Sequence, residues 1–375
     1  MTTRERIVQG KPVLLPEMEE AALEALRNDK FLRGENVLKF EEEFARFVGT
    51  DYAVSTSSGT NALQFIFISL GIKGKKVVTT PMSFIASANA IIHAEGTPVF
   101  ADISERDYCL DASETERQLK AGASGVLPVH IFGQPADFAG FQSLADKYHV
   151  PIVEDACQAH GAKYDGRAVG SLGVAAAFSF YPSKNMTVLG DGGMVTTNDE
   201  KIAKDVSKLR DGGRSSWYEH DMLGYTSRLN SSNAAIGRVQ LRHLEEWNTR
   251  RREIAGVYFG GLASTAEITL PPAPTTRVVP VFHQFVIRTK GRDALKDYLG
   301  QEGIECGIHY PIPIHLQPIY RAMFGFREGG YPKSERLASE CLSLPMHPLL
   351  TTEDARYVCE KISEFYARGK GDRVN

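Results

Sequence analysis

The sequence predicts an α/β protein in which a large domain built on a mixed, mostly parallel sheet is followed by a smaller α+β domain. From Tyr52 to Val153, short apolar segments alternate with polar turns and helical patterns, which is typical of a parallel sheet covered by helices on both faces. The 375 residues suffice for two domains. Prolines within 271–274 mark a break, and a mixed pattern of strand and helix follows them.

The first elements can be assigned in chain order. Pro16 and the acidic residues after it predict a helix, and apolar residues recur at helical spacing over residues 37–48, which predicts a second helix. The strands of the alternating pattern that follow Tyr52 are predicted at Val77–Val78, Val99–Phe100, 125–127 and Ile152–Val153.

A long helical pattern begins near Asn233 and runs towards Tyr258, where it would connect two domains. We therefore assign residues 1–240, including the N-terminal helices, to the large domain, and residues 241–375, with the connecting helix, to the small one. The remaining predicted elements are a helix over 199–210, a strand over 279–288 and helices over 293–301 and 353–366.

Composition argues against several classes of protein. The formal net charge is −3, and Lys and Arg are spread along the chain, so nothing favours a nucleic-acid partner. The five cysteines are scattered and lack the paired spacing of a metal site, which favours a reducing cytoplasm and predicts no metal. Residues 1–6 lead into no signal-peptide core, and no run approaches the roughly 18 apolar residues of a membrane span.

One lysine occupies an unusual position. An apolar run, Ala177–Phe180, leads into a turn of Pro, Ser and Asn that contains Lys184, and a glycine-rich corner begins the next strand at Gly190–Val195. Most lysines are solvated, and that remains the alternative interpretation. A lysine held between buried strands needs a buried partner or a chemistry that uses its neutral amine, such as a Schiff base with a carbonyl cofactor.

A second segment is suited to binding phosphate. Ser58, Gly59 and Thr60 lie between a strand end and a helix start, where free backbone N–H groups attract anions and a glycine lets a phosphate approach closely. The alternative is a plain helix cap, the commonest role of Ser and Thr before a helix.

An aromatic residue follows the second strand of the series. Phe84 is placed at the carboxyl edge of the sheet, where doubly wound folds bind ligands, and it could stack on a planar ring. Alternatively, Phe84 belongs to the core.

Two carboxylates end another apolar strand at Glu154-Asp155, so one of them is expected to be buried and to need a partner. Asp155 could pair with the protonated ring nitrogen of pyridoxal phosphate, and Gln158 and His160 could touch the ring edge. A helix cap or a surface ion pair is the other interpretation of Asp155, and a structural role is the other interpretation of His160.

These motifs together resemble the DegT/DnrJ/StrS family of sugar aminotransferases. The resemblance is carried by the Glu154–Gln158 segment, the Phe178–Asn185 segment and the glycine-rich corner at 190–193. It extends in the expected order to Ser57–Thr60, Pro81–Asn89, His309-Tyr310-Pro311 and His315, and so covers nearly the whole chain.

The resemblance implies a fold type I pyridoxal phosphate enzyme, like aspartate aminotransferase, that acts as a homodimer with active sites shared at the interface. It implies that Lys184 forms the Schiff base with the cofactor and shuttles protons, and that Asp155 binds the ring nitrogen. Further implied cofactor contacts are Ser58 or Gly59, Thr60 and Ser179 at the phosphate, Phe84 over the ring and Gln158 beside it.

The resemblance also implies residues for the substrates. Arg228 matches the family pattern and suits a donor carboxylate or a sugar-nucleotide phosphate, with an interface ion pair as the alternative. The chain has Thr226 where the family commonly has an Asn that reaches the partner's phosphate, which puts that contact in doubt. His309, Tyr310 and His315 resemble the family's substrate-side loop, although they could equally be domain contacts.

We therefore predict a pyridoxal phosphate-dependent aminotransferase that moves an amino group from L-glutamate to a nucleotide-linked keto sugar. Retention of Lys184 favours transamination over the dehydration seen in a few relatives, which have His at that position. A cyclitol or another keto compound as acceptor, and a non-catalytic regulatory protein on the same fold, remain the alternatives.

Overall fold

The computed structural model describes residues 5–371 of the chain. Its helices are α1 (Pro16–Asn28), α2 (Glu35–Val48), α3 (Gly59–Ser69), α4 (Ala86–His93), α5 (Ala112–Lys120), α6 (Phe138–Tyr148), α7 (Glu200–Leu209), α8 (Ser231–Leu262), α9 (Arg292–Gln301), α10 (Pro318–Phe324), α11 (Pro332–Glu340) and α12 (Thr352–Gly371). Its strands are β1 (Tyr52–Thr56), β2 (Lys76–Thr79), β3 (Thr97–Phe100), β4 (Val126–Leu127), β5 (Val153–Asp155), β6 (Lys163–Tyr164), β7 (Arg167–Ala168), β8 (Ala175–Ser179), β9 (Gly193–Thr197), β10 (Val278–Val279), β11 (Phe285–Arg288) and β12 (Cys341–Leu344).

The central sheet is mixed but mostly parallel, as the sequence predicts. One set of strands has the order β3-β2-β4 and another the order β5-β8-β9-β1, and parallel bridges from Val126 to Ile152 and from Val129 to Asp155 join β4 to β5. Only β9 runs antiparallel to its neighbours. The carboxyl ends of β1, β5 and β8 therefore lie at the same edge of the sheet.

Hydrophobic clusters cover both faces of this sheet. Ala176 and Phe178 of β8 face one cluster, which includes α2, and Ala175 and Ala177 face the other, which includes α3 and α7. Such burial on both faces explains why β8 is a continuous apolar run rather than an alternating one. The α/β class predicted from the sequence is confirmed.

Side-chain caps explain where several helices begin. Ser58, Asp111, Asp199 and Asn230 accept hydrogen bonds from backbone N–H groups in the first turns of α3, α5, α7 and α8, respectively. Each cap satisfies donors that have no partner within the helix. Pro16 lies in the first turn of α1, where its missing N–H costs nothing.

The C-terminal part of the chain has its own hydrophobic cluster, formed around β11, β12, α9, α12 and the end of α8. Ile7 packs in this cluster and forms a parallel bridge with Ile304. Helix α8 passes residue 240 without a break, so the division at 240/241 stays a prediction. Residues 1–4 and 372–375 of the predicted domains lie outside the described residues.

The strand predicted over 279–288 is interrupted in the structure. Val278 and Val279 pair with β6, whereas β11 begins only at Phe285 and pairs with β12. Between them, Val281 N donates to Gly133 O at 3.0 Å, so the backbone here bonds to a turn of the large domain instead of a sheet.

In the described part of the chain, no helix has the length and apolar character needed to cross a bilayer.

Asp102 attaches α11 to the large domain. Its carboxylate accepts from Lys333 N at 2.9 Å and from Ser334 N at 3.0 Å, which are free N–H groups in the first turn of α11. It also accepts from the Ser334 hydroxyl at 2.6 Å. A residue of the large domain thus acts as the helix cap of a segment more than 200 residues further along the chain.

We expect Asp102→Ala to lower the free energy of unfolding by about 1–2 kcal/mol, the usual effect of removing a helix cap. Urea unfolding of purified protein measures this. Glu328→Ala, which removes an exposed acid a few residues before α11, serves as the control. Equal stability of the two variants would contradict the capping role.

Candidate active site

Several of the predicted site residues meet at the edge of the sheet where β1, β5 and β8 end. Gly193, the first residue of β9, pairs with Ser179 on one side and with Thr56 on the other. Asp155 ends β5, next to β8. This register brings together the start of α3, the carboxylate after β5 and the turn after β8, which contains Lys184.

Lys184 is held in a turn but its amine has no fixed partner. Its backbone N–H donates to Tyr181 O at 2.9 Å. Among the described residues, none forms a hydrogen bond or ion pair with the amine, which interacts with Asp155 and Cys157 only at longer range. Burial lowers the pKa of Lys184, and the nearby negative charges only partly oppose this. The amine is therefore more readily deprotonated than that of an exposed lysine.

Asp155 is buried and partly satisfied, with only 4% of its surface exposed. One carboxylate oxygen accepts from the Ser87 hydroxyl at 2.7 Å, and the other accepts from Cys157 N at 3.2 Å. Ser87 in turn bonds to Ser83 at 2.9 Å. The sequence analysis did not identify Ser87, since a serine within an apolar helix gives no signal of its contact with a residue 68 positions away.

The start of α3 combines a cap with free donors. Ser58 Oγ accepts from Asn61 N at 3.2 Å, so the cap that was the alternative interpretation of this serine is present. The backbone N–H groups of Gly59 and Thr60 have no acceptor among the described residues. A Cβ on Gly59 would lie 2.6 Å from Cys157 Sγ, so only glycine allows α3 to begin this close to the site.

Phe84, Gln158 and Tyr310 lie together. Phe84 is 55% exposed, so it is not a core residue, and its ring centroid is 6.0 Å from that of Tyr310. Gln158 Nε2 donates to the Tyr310 hydroxyl at 3.2 Å, and Gln158 Oε1 accepts from Phe132 N at 2.8 Å. Burial, followed by the charge of Asp155, raises the pKa of Tyr310, so its hydroxyl stays protonated. The substrate-side loop thus directly contacts a predicted cofactor residue.

The charge of Lys184 acts on three nearby histidines, of which His160 and His283 are buried and His309 is half-buried. Burial first and that charge second lower the pKa of His160 to about 3 and that of His309 to about 4, and the same causes lower the pKa of His283 well below its usual value. His309 also bonds to Ser343 Oγ at 2.8 Å. All three imidazoles are therefore neutral at pH 7, and they add no positive charge that would compete with the lysine.

Arg228 belongs to a cluster of arginines around Asp211. Arg228 Nη1 and Arg33 Nη1 each donate to the carboxylate of Asp211 at 2.8 Å, and Arg214 lies 3.9 Å from it. One buried carboxylate facing three guanidinium groups leaves an excess of positive charge, which suits an anionic ligand. Neither Arg33 nor Asp211 was singled out from the sequence, because their proximity depends on the fold.

The other predicted residues are placed as follows. Ser179 ends β8, and its hydroxyl accepts weakly from Tyr181 N at 3.4 Å. Ser227, adjacent to Thr226, accepts from Ser57 N at 3.2 Å beside the start of α3. His315 is fully buried, bonds to Glu335 at 3.0 Å and packs on Tyr331, so it lies in a separate cluster and its substrate role stays a prediction.

The residues present fit pyridoxal phosphate. A buried carboxylate suits a protonated ring nitrogen, free N–H groups at a helix start suit a phosphate, and a lysine with a lowered pKa suits a Schiff base. These three features belong to Asp155, to Gly59 and Thr60, and to Lys184, and they converge on one edge of the sheet.

Comparison with known proteins gives consistent matches over nearly the whole chain. The DegT/DnrJ/EryC1/StrS aminotransferase family matches residues 14–363. The chain is similar to dTDP-3-amino-3,4,6-trideoxy-alpha-D-glucose transaminase of Streptomyces venezuelae, with 40% identity over 357 residues that cover 95% of this chain and 93% of that protein. It is also similar to UDP-N-acetyl-3-dehydro-alpha-D-glucosamine 3-aminotransferase of Acidithiobacillus ferrooxidans, with 39% identity and 88% coverage of both chains.

A solved structure has the same fold. Streptomyces venezuelae DesV, in complex with a ketimine intermediate, superposes with a TM-score of 0.90 at 40% identity, covering 93% of this chain and 94% of that one.

The buried histidines predict a dependence of stability on pH. Between about pH 6.5 and its lowered pKa, such a histidine stays unprotonated in the folded protein but binds a proton in the unfolded chain. The free energy of unfolding therefore falls as the pH falls from about 6.5 towards about 4. His347 allows a test outside the site, because burial lowers its pKa to about 4.

We expect the slope of unfolding free energy against pH, measured by urea unfolding between pH 6 and pH 5, to be smaller in His347→Gln than in the unaltered protein. The difference should correspond to the uptake of up to about one proton on unfolding. Subtracting the two slopes removes the contribution of the carboxylates. His220→Gln, which removes an exposed histidine, is the matched control. An unchanged slope in His347→Gln would disprove the expectation.

Proposed function

The chain belongs to the DegT/DnrJ/EryC1/StrS aminotransferase family, and from that membership we propose that it transfers an amino group from L-glutamate to a keto sugar carried on a nucleotide. It is an enzyme that depends on pyridoxal phosphate. The observation that carries the proposal is the convergence of Lys184, Asp155 and the open start of α3 at one sheet edge.

The residues of the site divide the work of transamination. Bound pyridoxal phosphate supplies a carbonyl that takes up amines and a ring that withdraws electrons. The carboxylate of Asp155 would hold the ring nitrogen, and the N–H groups of Gly59 and Thr60 would hold the phosphate. Ser58 and Ser179 add hydroxyl groups there, and Phe84 and Gln158 would bound the ring.

Lys184 would move the proton that transamination requires. Burial lowers the pKa of its amine, so the amine, after accepting a proton at Nζ, returns that proton more readily than an exposed lysine would. No neighbour among the described residues binds that amine, so it is available for proton transfer. Because His160, His283 and His309 have lowered pKa values and stay neutral, the lysine is the group that accepts the proton.

The acceptor is inferred from the names of the relatives and from charge. The two similar enzymes named above act at C3 of sugars carried on dTDP or UDP, so we infer a 3-keto sugar nucleotide. The arginine cluster around Asp211 supports this inference, since Arg33, Arg214 and Arg228 could bind a diphosphate or the donor carboxylate. The contacts of His309 and Tyr310 with sugar hydroxyl groups are part of the same proposal.

We also infer a homodimer with shared active sites. The segment after Arg214 exposes large apolar side chains, with Trp217 at 87% and Leu223 at 94% exposure, and Tyr218 lies between them. Clustered exposed apolar residues mark an interface, and a second copy of this chain would cover them.

We place the protein in the cytoplasm, consistent with the free thiols of all five cysteines.

We expect Lys184→Ala to lower turnover by about 10⁴-fold or more, because no neighbouring side chain can replace its amine. The absorbance of the bound cofactor should change as well, since the bond to the lysine is lost. Lys163→Ala, at an exposed position on β6, is the matched control. An active Lys184→Ala enzyme would rule out the proposed chemistry.

The donor and acceptor can be tested separately. Adding L-glutamate to the purified holoenzyme should convert the cofactor spectrum to that of the aminated form, whereas D-glutamate should not. A dTDP- or UDP-linked 3-keto sugar should then restore the first spectrum. A keto cyclitol that restores it faster than either sugar nucleotide would support the alternative acceptor, and a spectrum that ignores L-glutamate would exclude this donor.

A further inference from the structure

Asn185 follows Lys184 in the chain, and its side chain is buried within the protein. Its Nδ2 donates to Asn248 Oδ1 on α8 at 3.0 Å and to Val281 O at 3.0 Å. Its Oδ1 accepts from His283 Nδ1 at 3.3 Å. The carboxamide thus joins the turn that contains Lys184 to two other parts of the chain.

Asn248 extends these contacts towards Asp155. It is fully buried, and its Nδ2 donates to His160 O at 2.8 Å, in the loop that follows β5. A Cβ on Gly161 would lie 2.7 Å from that Nδ2, so only a glycine lets the amide of Asn248 approach this backbone. The loop is therefore shaped to admit Asn248.

The contact of Asn185 with Val281 leads, through further hydrogen bonds, to Gln158 and Tyr310. Val281 N donates to Gly133 O at 3.0 Å, and Gln284 N donates to Phe132 O at 3.2 Å. Phe132 N donates to Gln158, whose Nε2 donates to the Tyr310 hydroxyl. The segment 281–284 is thus bonded to the Lys184 turn on one side and to a turn beside Gln158 on the other.

These contacts matter because the Lys184 amine has no partner among the described residues that would fix its position. The position of the amine then depends on the position of the turn. We propose that Asn185 is a positioning residue, whose carboxamide fixes the Lys184 turn against α8 and the segment 281–284 and so sets the distance between the lysine amine and Asp155. The inference rests on the aminotransferase chemistry and does not depend on the sugar acceptor.

The proposal is tested with Asn185→Ala and with Gln118→Ala as a control, since Gln118 on α5 also donates from a side-chain amide to a backbone carbonyl, that of Phe100, at 3.1 Å. A displacement of about 1 Å can cost about a hundredfold in rate, so we expect Asn185→Ala to lower kcat by about tenfold or more, with KM for the amino donor changed less. Gln118→Ala should leave both constants unchanged.

A measurement without substrate separates positioning from general stability and from the proposed acceptor. The absorbance of the bound cofactor is titrated with pH. The titratable groups around the lysine that contribute to this titration are Asp155, Cys157, His160, His283 and His309. In the holoenzyme the group that titrates is the Lys184 nitrogen bonded to the cofactor. A loosened turn admits water to that nitrogen and so stabilises its protonated form, and the midpoint in Asn185→Ala should rise by about half a unit or more. Thermal unfolding records any loss of stability alone.

Asn248→Ala provides a second variant that leaves the Lys184 turn unaltered in sequence. It should change kcat and the midpoint in the same direction as Asn185→Ala, but less. Both residues act through one hydrogen-bonded network. The kcat of the double variant should therefore be about that of the single Asn185→Ala variant, whereas independent residues would lower kcat by the product of their separate effects. A multiplicative double variant, or an Asn185→Ala enzyme with the kcat and midpoint of Gln118→Ala, would overturn the proposal.

Discussion

The common edge at which β1, β5 and β8 end is the constraint on which the rest of the site depends. Parallel strands present their carboxyl ends together, and the pairing of Gly193 with both Ser179 and Thr56 sets the register across that edge. Asp155 ends β5 beside β8. A carboxylate, a helix start and the turn with the lysine therefore meet in space although they are far apart in the sequence. Burial of both faces of the sheet keeps this arrangement rigid.

The electrostatics of the edge follow from burial. Desolvation lowers the pKa of Lys184, and the remaining charge of the lysine further lowers the pKa of the histidines around it. The result is a site in which the imidazoles are neutral and Asp155 lies within range of the amine. In the reaction proposed above the lysine moves protons, and the lowered pKa values of the neighbouring imidazoles leave them without a positive charge that would oppose this.

The site is closed by segments that come from far along the chain. Tyr310 reaches Gln158, Ser227 reaches Ser57, and Asp102 holds α11 against the large domain. The C-terminal part of the chain, which has its own hydrophobic cluster, therefore also contacts the candidate site. This arrangement places the loop with His309 and Tyr310 where an acceptor sugar would bind in the function proposed above.

The sequence by itself determined the α/β class, the approximate starts of several helices and the residue types of the proposed chemistry, because these follow from local patterns: alternation, caps, and a lysine or acid at the end of an apolar strand. It placed Lys184, Asp155 and Gly59 near strand ends, and parallel strands bring those ends to one edge of the sheet. Only the tertiary structure decided their partners: Ser87 for Asp155, Asp211 for Arg228, and Asn248 and His283 for Asn185. Such contacts join residues many positions apart, and they depend on how helices pack on the sheet, which no local pattern records.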